Sequence, residues 1–244
     1  MGDLFHNALY VPIFNLLVFF YNIFGGVDIG FAIIALTIVI KLILWPFMSK
    51  SLKSQKALQE LQPKIEELKV THADDKEGLA KAMMELYQAE KVNPLASCLP
   101  LLIQLPILIA LYQVLLAGFG SETLGELYGF IPNPGEINHI FFGVIDLSVP
   151  SLYLAVLAGY FQFMQTRMLM HRRPPAQVKG KKGSKDETML ASMNKSMLMF
   201  MPAITVVIGA TLPAGLTLYW VTVNIVSILQ QQFVFSKITP AKAE

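Results

Sequence analysis

The sequence predicts an all-α integral membrane protein: five transmembrane helices around a hydrophilic groove, a cytoplasmic helical hairpin and an N-terminal interfacial amphipathic helix. Composition supplies the first observation. Of 244 residues, 54% are hydrophobic and only 15% charged, and the apolar residues gather in runs long enough to cross a bilayer core of about 30 Å. Charge placement supplies the second. The 19 Lys and Arg comprise Lys41, eight lysines from Lys50 to Lys91, eight residues from Arg167 to Lys195, and the tail pair Lys237 and Lys242. Segments 1–40, 92–166 and 196–236 have none, yet hold Asp3, Asp28, Glu122, Glu126, Glu136 and Asp146. Cations stay on the cytoplasmic side, so the N-terminus is expected outside and the C-terminus inside the cell (plasma) membrane. The third observation is Lys41 itself, a charge well inside an apolar run, where it costs on the order of 3 kcal/mol.

Taken in order, residues 1–24 place Phe5, Leu9, Ile13, Leu16, Phe20 and Phe24 on one helical face and Asn7, Asn15 and Asn22 opposite. That pattern predicts a helix lying in the outer interface. A sixth span is the alternative, and would leave the start of the chain in the cytoplasm with no cation to hold it. Gly25–Gly26 ends this segment, and the core is expected over 25–236. Its first span is predicted over 29–48. Residues 49–93 carry eight lysines and eight acids around two apolar stripes, Leu58, Leu61, Ile65 and Leu68, then Leu79, Ala82, Met83 and Leu86. Two helices that hide these stripes against each other, turning at THADD, make a cytoplasmic hairpin, with Pro63 expected to kink the first. Balanced charge argues against a nucleic-acid surface.

The second span is predicted over 97–117, with Pro100 and Pro106 tolerable because neighbouring helices can satisfy freed carbonyls. An outer loop follows to Val149. The third span covers 150–166, and 171–195 reads as a flexible basic cytoplasmic loop that anionic lipid would attract. Residues 196–236 carry no charge and would extend about 60 Å as one helix, so they must fold back. LPAG, Leu212 to Gly215, is the turn between spans at 197–212 and 216–235; 237–244 is a short cytoplasmic tail.

Polar residues recur at membrane depth. Thr37 lies one turn before Lys41, and Thr217, Trp220, Asn224, Ser227 and Gln231 step by three or four along the fifth span. The third span adds Gln162 and Gln165, and the second Gln104. Interhelical glue explains any one of these; a stripe facing a lysine favours a hydrated groove over a lysine that merely snorkels to the interface. The expected groove residues are therefore Lys41, Thr37, Gln104, Gln162, Gln165, Thr217, Trp220 and Asn224. No His-Glu-x-x-His, Gly-x-Ser-x-Gly or phosphate-cradling glycine loop is present, and His6, His72, His139 and His171 are scattered over both sides. Cys98 stands alone, excluding a disulfide within the chain. Neither catalysis nor a metal or cofactor is expected, and no removable signal peptide is read at the N-terminus.

Glu60–Leu115, containing ELQPKIEELK and NPLASCLPLLIQLPILIALYQVL, and Leu212–Gln231, LPAGLTLYWVTVNIVSILQQ, resemble the YidC/Oxa/Alb membrane protein insertases. The resemblance covers about 25–235. It implies five spans around a groove open to cytoplasm and lipid, with the family's groove cation at Lys41, its third-span glutamine at Gln162 and its fifth-span tryptophan at Trp220. Where the family usually has arginine, this chain has lysine, which keeps the charge and loses the bidentate fork. The large outer domain of Gram-negative relatives, a presequence and a long basic tail are not seen, so the chain looks like a short bacterial form. The implied function is an insertase for nascent membrane proteins, recruiting acidic substrate tails with Lys41. Lipid, and as candidates the ribosome and the Sec translocon, are its partners; direct nucleic-acid binding is not expected. A small anion transporter or channel is the alternative, and a passive assembly scaffold a third reading.

Overall fold

A computed structural model describes residues 2–72, 75–93, 95, 99–117, 121–169 and 199–237. The expected basic loop at 171–195 and the tail beyond Lys237 lie outside the described residues. Helix α1 runs Asp3–Ile23 and α2 Ile29–Glu60. Helices α3 (Gln62–Thr71), α4 (Lys76–Ala89), α5 (Leu99–Ala117) and the single turn α6 (Ser121–Leu124) follow. A two-stranded ribbon, β1 (Ile140–Phe141) with β2 (Ile145–Asp146), precedes α7 (Leu152–Leu169), α8 (Met199–Gly209) and α9 (Ala214–Lys237). Among the described residues, α1 and α2 are long and apolar enough to cross a membrane; Leu102–Ala117 and α8 are shorter apolar helices.

The surface of the bundle is inverted relative to that of a water-soluble protein. Leu42, Ile43, Phe47, Leu102, Tyr153, Val156, Val207 and Phe233 are exposed, whereas Lys41, Thr217, Asn224 and Gln230 are buried. Apolar patches of this extent, on helices from every part of the chain, need an apolar solvent.

Helix α9 is the spine, packed on α2 and α7. Hydrogen bonds join α2 to α9 at sequence separations of 181, 185 and 186 residues. A near-constant separation means that the two helices run parallel. At the other flank, the position a Cβ of Gly159 would take lies 2.4 Å from Val206 Cγ2 and 3.1 Å from the Pro202 carbonyl oxygen, so only glycine lets α7 and α8 approach this closely. Thr217 donates to the Gly209 carbonyl across the LPAG turn, which sets α8 and α9 antiparallel. Helices α2, α7 and α9 thus point the same way.

The segment predicted as an outer loop is built into the structure. Asp28 caps α2 by accepting from the Gly30 N–H at 2.7 Å, and also accepts from the Phe142 N–H at 2.9 Å. Tyr21 donates to the Gly26 carbonyl and accepts from the Asn138 N–H. Asn15, expected on a wet face, is buried: it donates to the Glu126 carbonyl and accepts from the Tyr128 N–H, while Asn22 donates to the Pro132 carbonyl. The Asn15 and Asn22 amides face this segment's backbone, while Asn7 stays exposed. With His6 near the Glu126 carboxylate, contacts with 126–138 run from one end of α1 to the other.

The hairpin departs from expectation at Pro63. Helix α2 continues unbroken past Met48 to Glu60, 32 residues or about 48 Å. The chain then turns at Leu61, and Pro63 sits in the first turn of a new helix, where a missing N–H is harmless. It follows a break and kinks nothing. Helices α3 and α4 pair along the predicted stripes in part: Ile65, and Leu61 at the turn before it, are buried, while Leu68, Ala82 and Leu86 line an open cleft. Asp75 caps α4 by accepting from the Gly78 N–H, and Lys64 pairs with Glu90.

Candidate functional site

The charge in the first apolar run decides where the site lies. Lys41 is only 6% exposed, and its ammonium donates to Ser227 Oγ at 2.8 Å. The side chain crosses to α9 instead of running along α2 to the interface. Among the described residues its hydrogen-bond partner is this hydroxyl, and no carboxylate pairs with it. A buried ammonium with one neutral acceptor has two N–H groups left to satisfy.

The other predicted residues divide into two sets. Thr37 donates to the Ile33 carbonyl of its own helix at 2.6 Å; Thr217 donates to Gly209 and Asn224 to the Ala158 carbonyl at 3.2 Å. All three are buried; Thr217 and Asn224 hold helices together, while Thr37 bonds within its own. Gln162, Gln165 and Trp220 are half-buried, as is Gln104. Gln104 pairs with the Tyr219 hydroxyl, off the stripe that contains Thr217 and Asn224. The Asn224–Ala158 bond and the parallel course of α7 and α9 put Gln162 and Gln165 level with Ser227 and Gln231.

Three residues at this depth were not singled out as site residues from sequence. Ser227 was visible as a member of the polar stripe. Gln231, one turn further, is 2% exposed, and its Oε1 has no hydrogen-bond partner among the described residues. Gln230 donates to the Trp45 carbonyl at 3.0 Å and to Ser49 Oγ at 3.1 Å, clamping α9 to α2 beside Pro46; only its partners, not its spacing, reveal it. An open cleft of about 580 Å³ lies elsewhere, between α3 and α4, rimmed by Lys64, Glu67 and Glu85. Its charges are mixed and solvated, and we assign the chemistry to the Lys41 region.

An apolar-coated bundle with a buried cation resembles known proteins. A family model described as 60Kd inner membrane protein matches residues 19–242. The chain belongs to this family. Similar relatives named Membrane protein insertase YidC include those of Shewanella halifaxensis, 38% identical over 234 residues, and Francisella tularensis subsp. novicida, 41% identical over 204 residues. These alignments cover 93% and 83% of this chain but 37% and 31% of the relatives, so the chain spans about a third of their length. A crystal structure of an active YidC insertase with its first transmembrane domain resolved shares the fold, with a TM-score of 0.56 at 23% identity, over 92% of this chain and 45% of that one.

Proposed function

We propose that the protein is a membrane protein insertase that eases polar segments of newly made proteins across the bilayer without a chemical step. The observation that carries this reading is Lys41, a buried ammonium with a hydroxyl acceptor and no paired carboxylate among the described residues. Such a group attracts the acidic tail of an incoming chain. The membrane potential then favours outward movement of that tail by about 2.3 kcal/mol per charge per 100 mV. Gln162, Gln165 and Trp220, half-buried at the same depth or above it, line the polar side of the path, and the exposed apolar flanks of α7 and α9 receive the substrate's own apolar segment.

In this reading α2, α5, α7, α8 and α9 are the five spans. The placement of cations sets the N-terminus outside, the hairpin and the C-terminus inside. Helix α1 lies along the outer interface: its contacts with 126–138 at both ends keep its whole length beside one segment, whereas a span would carry one end about 30 Å away. Single cysteines at Glu126 and within 179–185, with Cys98 replaced, should label from outside and inside respectively.

Reconstitution tests the function. Purified protein in liposomes should insert a single-span substrate with an acidic tail, and should not pass a labelled anion. Lys41→Arg should retain activity, because a charge and not a fork is required. Lys41→Ala should fold and lose acidic-tailed substrates far more than neutral ones; Lys41→Glu should be worse. Equal loss of both tails in the alanine variant would refute charge recognition.

A further inference from the structure

Ser227 and Gln231 are one helical turn apart on the same face of α9, where helical side chains lean towards the N-terminus. Ser227 fixes the Lys41 ammonium beside it, 2.8 Å away. The pair therefore presents two unused cationic N–H donors and, about 6 Å or less further along, a buried carbonyl oxygen with no donor among the described residues. A carboxylate would use the first and leave the second unmet. An extended peptide uses both: its carbonyl and N–H groups alternate along one edge with a two-residue repeat of about 6.7 Å.

We propose that Lys41, held by Ser227, and the Gln231 carbonyl form a docking site for the peptide backbone of an extended substrate tail, with Lys41 donating to a main-chain carbonyl and Gln231 accepting a main-chain N–H. The site rests on the insertase reading and adds a recognition element independent of side-chain charge. It answers the chief cost of moving an unfolded tail through a poorly hydrated space, its unpaired backbone groups. Ser227 acts as a positioning residue for the ammonium, and Gln231 as the contact that registers the chain.

The test uses the full-length protein in liposomes and a single-span substrate with a neutral tail, in which one tail residue at a time is replaced by its α-hydroxy acid, turning an amide N–H into an ester oxygen. With wild-type protein, esters at one register should slow insertion about three- to tenfold, the worth of one hydrogen bond. Gln231→Met should slow the all-amide substrate by a similar factor and abolish the ester effect. It should not lower the unfolding temperature in detergent, because it removes an unpaired buried oxygen; a merely structural glutamine would lower it. An ester effect of equal size in Gln231→Met, or wild-type insertion rates in that variant, would overturn the site while the tail-charge response of Lys41→Ala still supported the insertase reading. Failure of wild-type protein to insert any substrate above empty liposomes would overturn both.

Discussion

In the proposed orientation, the outer end of the bundle is closed by side chains bonded to backbone. Asp28, Asn15, Tyr21 and Asn22 reach from α1 and the start of α2 to the backbone of 126–142, and Asn138 returns a bond to the Val27 carbonyl at 2.6 Å. At the inner end, α3 and α4 meet each other through two apolar stripes and an exposed ion pair, with few contacts to the spine. Buried polar-to-backbone bonds have one good geometry, and leaving either partner unmade costs about 1–3 kcal/mol. Exposed pairs can exchange for water at almost no cost. The outer end is therefore built as a fixed cap and the hairpin as an attachment with few ties to the bundle. Between them, at the depth of Lys41 and Gln231, buried polar groups keep unused hydrogen-bonding capacity, as suits a binding site.

The largest expected effect breaks the cap. Asp28 is 3% exposed, and Asp28→Ala strands two N–H groups and uncaps α2. A loss of about 2–4 kcal/mol is expected in denaturant unfolding in detergent, together with outside labelling of a cysteine placed at Phe141. Unchanged stability would mean that the outer segment is not a fixed cap. A smaller loss, about 1–3 kcal/mol, is expected for Gly159→Ala, since its methyl group meets Val206 and the Pro202 carbonyl where α7 and α8 touch. The same assay measures it, and an inert variant would show that this contact yields as easily as the hairpin.

Acid should separate the ends as well. The two Ser148 hydrogen bonds hold the Asp146 carboxyl below the usual carboxylate range, beside the β-ribbon of the cap. A depressed folded value contributes stability that is present above the unfolded pKa and is lost as pH falls through the folded one. Asp146→Asn should flatten the acid limb of the outer segment's stability, read by labelling between about pH 5 and 3, and leave the hairpin's response untouched. The group is only partly buried, so the change is small.

Local patterns were legible in the sequence; long-range partners were not. The stepping of Thr217, Asn224 and Ser227 marked the buried face of α9, the LPAG turn fell where α8 and α9 reverse, and the stripes around THADD gave the hairpin. Asn15 read as solvent-facing because its partners lie 111 and 113 residues away, on a segment whose two-residue strands leave almost no periodicity. The partner of Gln104, Tyr219, was hidden for the same reason: it is 115 residues off and outside the polar stripe. Pro63 was misread because a proline signals a helix boundary whether it kinks a helix or begins one, and only the turn at Leu61 distinguishes the two. Gln231 was visible in the stripe, but an unpaired oxygen is a property of packing.

The smallest expected effect concerns the hairpin. Because α2 continues to Glu60 and Gln59 donates to the Leu169 carbonyl of α7, a cut placed inside α2 would damage the bundle and mislead. Replacing 62–89 with a short flexible linker spares that bond. The remaining protein should unfold within about 0.5 kcal/mol of wild type, the scale of an exposed ion pair, while inserting substrate more slowly. Lys64→Ala, which removes only the pair with Glu90, should be silent in both assays. A stable deletion with slow insertion would place the hairpin in substrate reception. A bundle that unfolds without it would mean that the inner end, like the outer, is part of the fixed frame, and the contrast between them would be gone.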